Sequence, residues 1–365
     1  MAPRVPSVLM LPGRGRNPYI GLVTDGVSAG YRVAAYHNFR PWQDADILHV
    51  HWPENMFRVT RSLRRRGTAT LRWWNLMAAI GRVRRHGALV WTAHNLARHS
   101  PVPPAMQAAY DRRMQQFLRQ VDLAVAMSAD QIPLLRETFP LVAADRWRVA
   151  EHPSFRTAYS LCRSRAEVRA DLAIPHDATV VAMIGRIEPY KGTIEVIRAF
   201  RAAARPVDVL LIAGRCVDEA LSKQIRDEAA GAPNIRLVFS ILSDIDLASF
   251  FRAADLALYN FTRILNSGSL MTALSLDCPV LAPRAAAFEE LQRRVGDPQW
   301  VSLFDGRLDA PILRRTLDAI AHWHRPASPR LDEYSVEAVG EAHRRIYAEA
   351  LDLRKGRRGI PIDPR

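Results

Sequence analysis

Twelve short apolar runs, each closed by polar residues and followed by a stretch of helical periodicity, set the tightest limit on what this chain can fold into. In the first half they are SVLML (7–11), YRVAAY (31–36), DILHVHW (46–52), ALVWTAH (88–94), LAVAMS (123–128) and WRVAEH (147–152). In the second half they are TVVAMIG (179–185), VDVLLIAG (207–214), IRLVFS (235–240), DLALYN (255–260), CPVLAP (278–283) and WVSLF (300–304). Near-continuous apolar strands alternating with helices belong to parallel sheets covered on both faces. The rhythm restarts after residue 153, and 365 residues can bury two cores. The expected fold is therefore α/β, with two Rossmann-like doubly wound domains facing each other across a cleft. The first spans 1–153, a linker spans 154–165, and the second domain spans 166–335.

In open α/β sheets ligands gather beyond the carboxyl ends of the strands. GRIEPYKG, residues 185–192, follows such an end. Gly185 permits a tight turn, and Arg186 and Lys191 flank the turn so that both can converge on one anion. In NSGS, residues 266–269, Asn266, Ser267, Gly268 and Ser269 open a helix. Such residues either cap a first turn or offer its amides, with the helix dipole, to a phosphate. Together the two stretches form a candidate grip on the diphosphate of a nucleotide-sugar.

The first half offers a different set. HVHWPE puts His49 and His51 on one side of a strand, with Trp52 and Glu54 just beyond it. TAHNLARH contributes His94, Asn95 and His99. The histidines read either as structural hydrogen-bonding groups or as substrate ligands. Zinc is not expected, because neither HExxH nor paired C-x-x-C spacing occurs. Glu54, beside Trp52 and Pro53, reads as a general base with a raised pKa or as one half of a salt bridge. The D-x-D triplets Asp44–Asp46 and Asp244–Asp246 read as caps, not magnesium ligands.

Charge adds a partner. The net charge is +14, and of 51 basic residues only Lys191, Lys223 and Lys355 are lysines, leaving 48 arginines. No acidic residue stands between Glu54 and Asp111, while Arg58–Arg85 carries nine arginines, Arg64, Arg65 and Arg66 among them. Within that stretch Trp73, Leu76, Met77, Ile80 and Val83 fall at helical spacing, with Trp74 beside them. A basic helix with paired tryptophans fits an anionic bilayer surface; the same stripe also fits a helix packed on its own sheet. No nucleic-acid reader motif accompanies the charge, so nucleic acid is not expected. Three scattered cysteines and an opening apolar run broken by Pro12 and Gly13 point to a cytoplasmic chain.

Taken in order, the motifs resemble those of GT-B glycosyltransferases, and within them the bacterial β-1,4-mannosyltransferases of xanthan-type exopolysaccharide synthesis. The resemblance rests on NPY (17–19), HVHWPE (49–54), TAHNLARH (92–99), HPSFRTAY (152–159), RIEPYKG (186–192), NSGSLMTALSLDCPVLAP (266–283) and HRRIYAEAL (343–351). It implies an inverting transfer of mannose from GDP-mannose to a polyprenyl-diphosphate-linked oligosaccharide, without metal or other cofactor, by a protein peripheral to the inner membrane face. Residues 1–153 would bind the acceptor through Asn17, Tyr19, His49, Trp52, Asn95 and His99. Residues 166–335 would bind the donor, with Glu290 at the position often used for ribose. A helix over 336–353 would return toward the first domain, ahead of a basic tail, 354–365. Glu54 would be the base, with His51 and His94 orienting substrates and His94 the alternative base. The large retaining group carries two glutamates eight positions apart where Ile264 and Thr272 stand here, which agrees with inversion. Ser100 replaces an acidic residue of the resembled enzymes, so the acceptor sugar does not carry over. Two other readings stay open: a hexosyl or glucuronosyl transferase using a UDP- or dTDP-sugar, and a non-catalytic nucleotide- or nucleic-acid-binding protein.

Overall fold

The computed structural model describes residues 4–15, 17–40, 42–57, 63–96, 102, 104–160, 163–261, 265–266 and 268–358. They form two compact units, one of Met1–Pro153 with Asp332–Arg365 and one of Ser154–Leu331. Residues 154–160, expected as linker, lie in the second unit, where the Phe155 amide donates to Ser275 Oγ at 2.8 Å.

All twelve apolar runs are strands. The first unit holds β1 (Ser7–Leu11), β2 (Arg32–Ala35), β3 (Ile47–His51), β4 (Ala88–Thr92), β5 (Leu123–Ala126) and β6 (Trp147–Val149), all parallel, in the order β2-β1-β3-β4-β5-β6. Every residue of β1, β3, β4 and β5 is buried, which is why these runs lack polar alternation, whereas edge strand β2 is largely exposed. Between them run α1 (Pro18–Val27), α2 (Leu63–Val83), α3 (Pro104–Leu118) and α4 (Ile132–Thr138). Asp46, from the first D-x-D triplet, accepts from the Ser7 amide at 2.7 Å and hydroxyl at 2.9 Å, fixing the start of β1.

The second unit opens with α5 (Arg165–Asp171). Its sheet comprises β7 (Val180–Ile184), β8 (Val209–Ala213), β9 (Ile235–Val238), β10 (Leu256–Leu258), β11 (Val280–Pro283) and β12 (Val301–Phe304), in the order β12-β11-β10-β7-β8-β9. Helices α6 (Thr193–Ala203), α7 (Glu219–Ala229), α8 (Asp244–Ala253), α9 (Gly268–Ser275), α10 (Ala286–Arg294) and α11 (Ala310–His322) complete it. Ser243 caps α8, with Asp244 and Asp246 in its first turn, as the second triplet led one to expect. Strand order reverses between β1 and β3 in one sheet and between β7 and β10 in the other. At such switch points adjacent loops diverge to opposite faces and open a crevice.

Helix α2 resolves its two readings. Trp73 (3% exposed), Leu76, Ile80 and Val83 pack inward, so Trp73 is a core residue and has no face for lipid. Trp74, one position and about 100° further round the helix, is 63% exposed. The Arg64, Arg65 and Arg66 side chains lie outside the described residues. Among the described residues no helix is long and apolar enough to cross a membrane.

The last helix, α12 (Val336–Arg358), returns to the first unit and packs on α1. They cross at Gly26 and Gly340, where a Cβ on either would strike the other's backbone. Arg344 donates to the Gly26 carbonyl and Arg148 pairs with Glu349. The crossing delivers His343 and Tyr347, both fully buried, to the centre of the first unit.

Candidate active site

The second unit builds its site at the β7/β10 switch. Strand β7 is followed at once by Gly185, whose φ of +112° suits glycine alone. The chain passes Arg186 and Ile187 into a 3-10 turn, Pro189–Lys191, then enters α6 through Gly192 in the left-handed region. This turn folds the Lys191 amine back over the strand end. The point where a Gly185 side chain would begin lies 3.7 Å from Lys191 Nζ and 3.9 Å from Ser269 Oγ. A cation and a hydroxyl thus meet above bare backbone, where the first turn of α9 also begins. The crevice is walled by Gly185, Arg186, Lys191, Thr193, Tyr259 and Asn260. Tyr259 donates to the Ser269 carbonyl at 2.7 Å and stacks on Phe261, locking the entry of α9 onto the end of β10.

Electrostatics suit an anion. Burial pushes the Lys191 amine down to about 8; Glu188 opposes this and Arg186 adds to it. Arg186 is 72% exposed and pairs with Glu188 at 2.5 Å, which keeps a second cation at the mouth. Asn266 is half-buried just ahead of α9, and Ser267 lies outside the described residues. Thr272, where the retaining group has a glutamate, donates to the Gly268 carbonyl at 2.7 Å. Glu290 does not line this crevice: it is buried in α10 and paired with Arg294 at 2.5 Å. Sequence reasoning passed over Thr193, Tyr259 and Asn260. The last two directly follow the apolar run of β10, the same strand-end signal that marked Gly185.

The first unit builds its cluster at the β1/β3 switch. His49 and His51 share a face, their ring centroids 4.1 Å apart. His49 sits deeper, bonded to Tyr347 OH at 2.6 Å and Thr92 Oγ1 at 2.8 Å, with no exposed surface. It is a core histidine, which corrects its expected acceptor role. Tyr19 is likewise enclosed, set edge-on to His51, Trp52, His94 and His152 as a wall. Asn17 is the cap of α1, accepting from the Tyr19 amide at 3.1 Å.

His51 bonds His94 (Nδ1 to Nε2, 2.9 Å), and Trp52 stacks on His94 at 3.9 Å. Trp52 has φ +49°, a left-handed conformation costly for a bulky side chain. That backbone turns the chain sharply off β3 into a 3-10 turn, Pro53–Phe57, which carries the half-buried Glu54. Asn95 is half-buried beyond β4; His99 lies outside the described residues. Burial, then the neighbouring histidines, holds His49, His51 and His94 far below the usual imidazole range, so all three are neutral at pH 7.

Several known proteins resemble this chain in sequence or in fold. Residues 164–290 match the family described as glycosyl transferases group 1. Over 352 residues the chain is 27% identical to GDP-mannose:glycolipid 4-beta-D-mannosyltransferase of Xanthomonas campestris pv. campestris, covering 93% of this chain and 90% of that one. It is 31% identical over 183 residues to D-inositol 3-phosphate glycosyltransferase of Mycobacterium bovis, covering 46% of this chain and 36% of the relative. Among solved structures, sucrose-phosphate synthase from Thermosynechococcus elongatus aligns with a TM-score of 0.61 at 15% identity, over 98% of both chains. HepE of Anabaena, in complex with UDP and glucose, aligns with a TM-score of 0.60 at 13% identity, over 97% of this chain and 98% of that one. The likeness to these structures is one of fold. With a glycosyl transferases group 1 match in its second unit and a mannosyltransferase relative along nearly its full length, the chain resembles the GT-B glycosyltransferases.

Proposed function

We propose that this protein is an inverting mannosyltransferase that moves mannose from GDP-mannose to a polyprenyl-diphosphate-linked oligosaccharide in exopolysaccharide biosynthesis. The observation that carries the reading is the convergence of Lys191 Nζ and Ser269 Oγ over Gly185 at the start of α9. A diphosphate there meets an ammonium, a hydroxyl and helix amides together, with Arg186 at the rim. The GDP-mannose and glycolipid named for the Xanthomonas relative supply the identities of donor and acceptor.

In this reading the acceptor hydroxyl attacks C1 of mannose from the face opposite the diphosphate. The C1–O bond breaks and its electron pair goes to the phosphate oxygen, where Lys191 and Arg186 neutralise the charge; the reading calls for no metal. Glu54 takes the hydroxyl proton. Thr272 is consistent with inversion, because its hydroxyl is spent on its own helix and no carboxylate stands there. Glu54→Gln is expected to keep GDP affinity within about twofold while lowering turnover by at least about 10². Unchanged turnover would move the base to His94.

A bilayer surface completes the reading. Trp74 and Leu71 of α2 and Phe39 and Trp42 of the loop after β2 are all exposed. Asn75 donates to the Asn38 carbonyl at 2.9 Å and Arg72 lies over the Phe39 ring, which joins loop and helix into one surface. Apolar rings flanked by arginines suit anionic lipid at the cytoplasmic membrane face. The donor is tested by thermal stabilisation: GDP-mannose is expected to raise Tm more than UDP-glucose or a dTDP-sugar at equal concentration. The linkage is tested by mass and stereochemical analysis of the product formed on a synthetic phytanyl-diphosphate oligosaccharide. A larger shift with a UDP-sugar, or an α-linked product, would overturn the assignment.

A further inference from the structure

The two residues that follow β10 reach in opposite directions, as alternation along an extended chain requires. Tyr259 is tied to the sheet by its amide, which donates to the Leu281 carbonyl of β11 at 2.8 Å. Its hydroxyl donates to the Ser269 carbonyl at 2.7 Å, in the first turn of α9. Asn260 turns the other way, and its Nδ2 donates to the Gly192 carbonyl at 3.3 Å. Gly192 directly follows Lys191 and has φ +60°; a Cβ built on it would strike the Asn260 amide. Glycine at 192 therefore serves a close approach as well as a left-handed turn. The loop that carries Lys191 has another anchor on the opposite side of β7, where the Ile187 amide donates to the Arg215 carbonyl at 2.9 Å. That anchor is backbone to backbone. The one beside Lys191 is made by a side chain and depends on its chemistry.

From these contacts we infer that Asn260 and Tyr259 are positioning residues. Asn260 holds the Lys191 turn down over Gly185, while Tyr259 holds the Ser269 end of α9, so one strand end sets the gap of the anion crevice. Both line that crevice. Asn260 acts before any ligand arrives, by keeping the lysine amine 3.7 Å from the point where a Gly185 side chain would begin. In that place the amine is largely cut off from water, which is what lowers its basicity. With the turn released, the amine swings into water and regains the ordinary basicity of a lysine. The charged groups that act on it, Glu188 and Arg186, stand on the same loop. Facing it from β7, β10, α9 and α6 are Gly185, Asn260, Ser269 and Thr193, all uncharged, and Tyr259, kept neutral by burial.

The chain holds three lysines, so the free, full-length protein reports on Lys191 directly, independently of any transferase activity. In protein labelled with 13C-lysine, the Lys191 signal, assigned by its loss in Lys191→Arg, is expected to titrate at about 8. Asn260→Leu keeps the volume and the shelter from water but cannot donate to Gly192. It is expected to raise the midpoint by at least about one pH unit, toward the ordinary lysine value of about 10.4, and Asn260→Ala to do the same. A side chain that merely filled space would leave the leucine variant's midpoint where it was or lower it, and that result would overturn the strut. Tyr259→Phe keeps the ring and drops the donor; acting on the other half of the crevice, it is expected to leave the Lys191 midpoint in place.

The binding arm rests on the reading of this crevice as a diphosphate site and compares GDP with guanosine, which has no phosphate. By calorimetry at pH 7, Asn260→Leu and Tyr259→Phe are each expected to weaken GDP at least about fivefold while leaving guanosine within about twofold. Equal losses for GDP and guanosine would overturn positioning in favour of general damage to the fold. GDP affinity unchanged in Tyr259→Phe alone would strike Tyr259 from the pair. A raised Lys191 midpoint in Asn260→Leu with unchanged GDP affinity would uphold Asn260 as the strut of the lysine and overturn the diphosphate reading instead.

Discussion

Lys191 stands apart at the scale of single residues because its environment works against its charge. Burial and Arg186 favour the neutral amine and Glu188 favours the ammonium, with the balance at about 8. A diphosphate binds the charged form, so affinity depends on the fraction protonated. Near pH 7 Lys191 is largely charged. As pH rises through 8 the proton is lost and Kd weakens, by about tenfold at pH 9. Lys191→Arg keeps the charge throughout that range, so its GDP affinity, measured by calorimetry, is expected to lose this slope. An unchanged slope in the variant would assign the titration elsewhere. The two histidines of β3 carry a second residue-scale lesson. Period-two alternation put both on one face, and that reading holds. It did not separate the enclosed His49 from the switch-point His51, because the distinction depends on Tyr347, 298 residues away.

Elements were far more legible than contacts between them. The inner strands were readable because parallel strands covered on both faces leave unbroken apolar runs, and that property is local. The α12 return to α1 has no such local signal; it depends on two glycines more than 300 residues apart, and only the resemblance pointed to it. The donor turn was legible at Gly185 and Lys191, while Tyr259 went unremarked because a tyrosine ending an apolar run looks like one more core residue. In α2, helical spacing already held the answer to its tryptophans. Trp73 shares the stripe of Leu76, Ile80 and Val83, so Trp74 must face away from it. Sedimentation with vesicles tests what that outward face does. Trp42→Ser/Trp74→Ser is expected to lower binding to phosphatidylglycerol vesicles at least about tenfold, with the circular dichroism spectrum intact. Trp73→Ser should instead lower Tm, by removing a buried ring. Full vesicle binding by the double variant would limit the membrane contact to charge.

The whole molecule distributes its titratable burden unevenly between the two units, and acid should expose this. His49, His51, His94, His152 and His343 lie in the first unit, and burial holds the first three far below the ordinary 6.5 and the last two at about 4. The described histidines of the second unit, His176, His322 and His324, are all exposed. A histidine whose folded pKa is depressed is neutral in the native state yet takes a proton near pH 6.5 once unfolded. Its contribution to stability is therefore complete above pH 6.5 and is lost progressively as pH falls below it. One such group loses about 1.4 kcal/mol by pH 5.5, and five lose at most about 7 kcal/mol, against the 5–15 kcal/mol typical of a domain. The first unit is expected to unfold at markedly lower temperature at pH 5.5 than at pH 7.5, with about five protons taken up at these residues. The second unit should shift far less, so scanning calorimetry at falling pH is expected to split one broad transition into two. Replacing His49 with Gln removes one titrating group of five, and the acid slope of the lower transition should fall by about a fifth, a change that lost packing alone would not produce. Transitions that move together across this range would mean that the buried imidazoles are not what sets the acid limit of the fold.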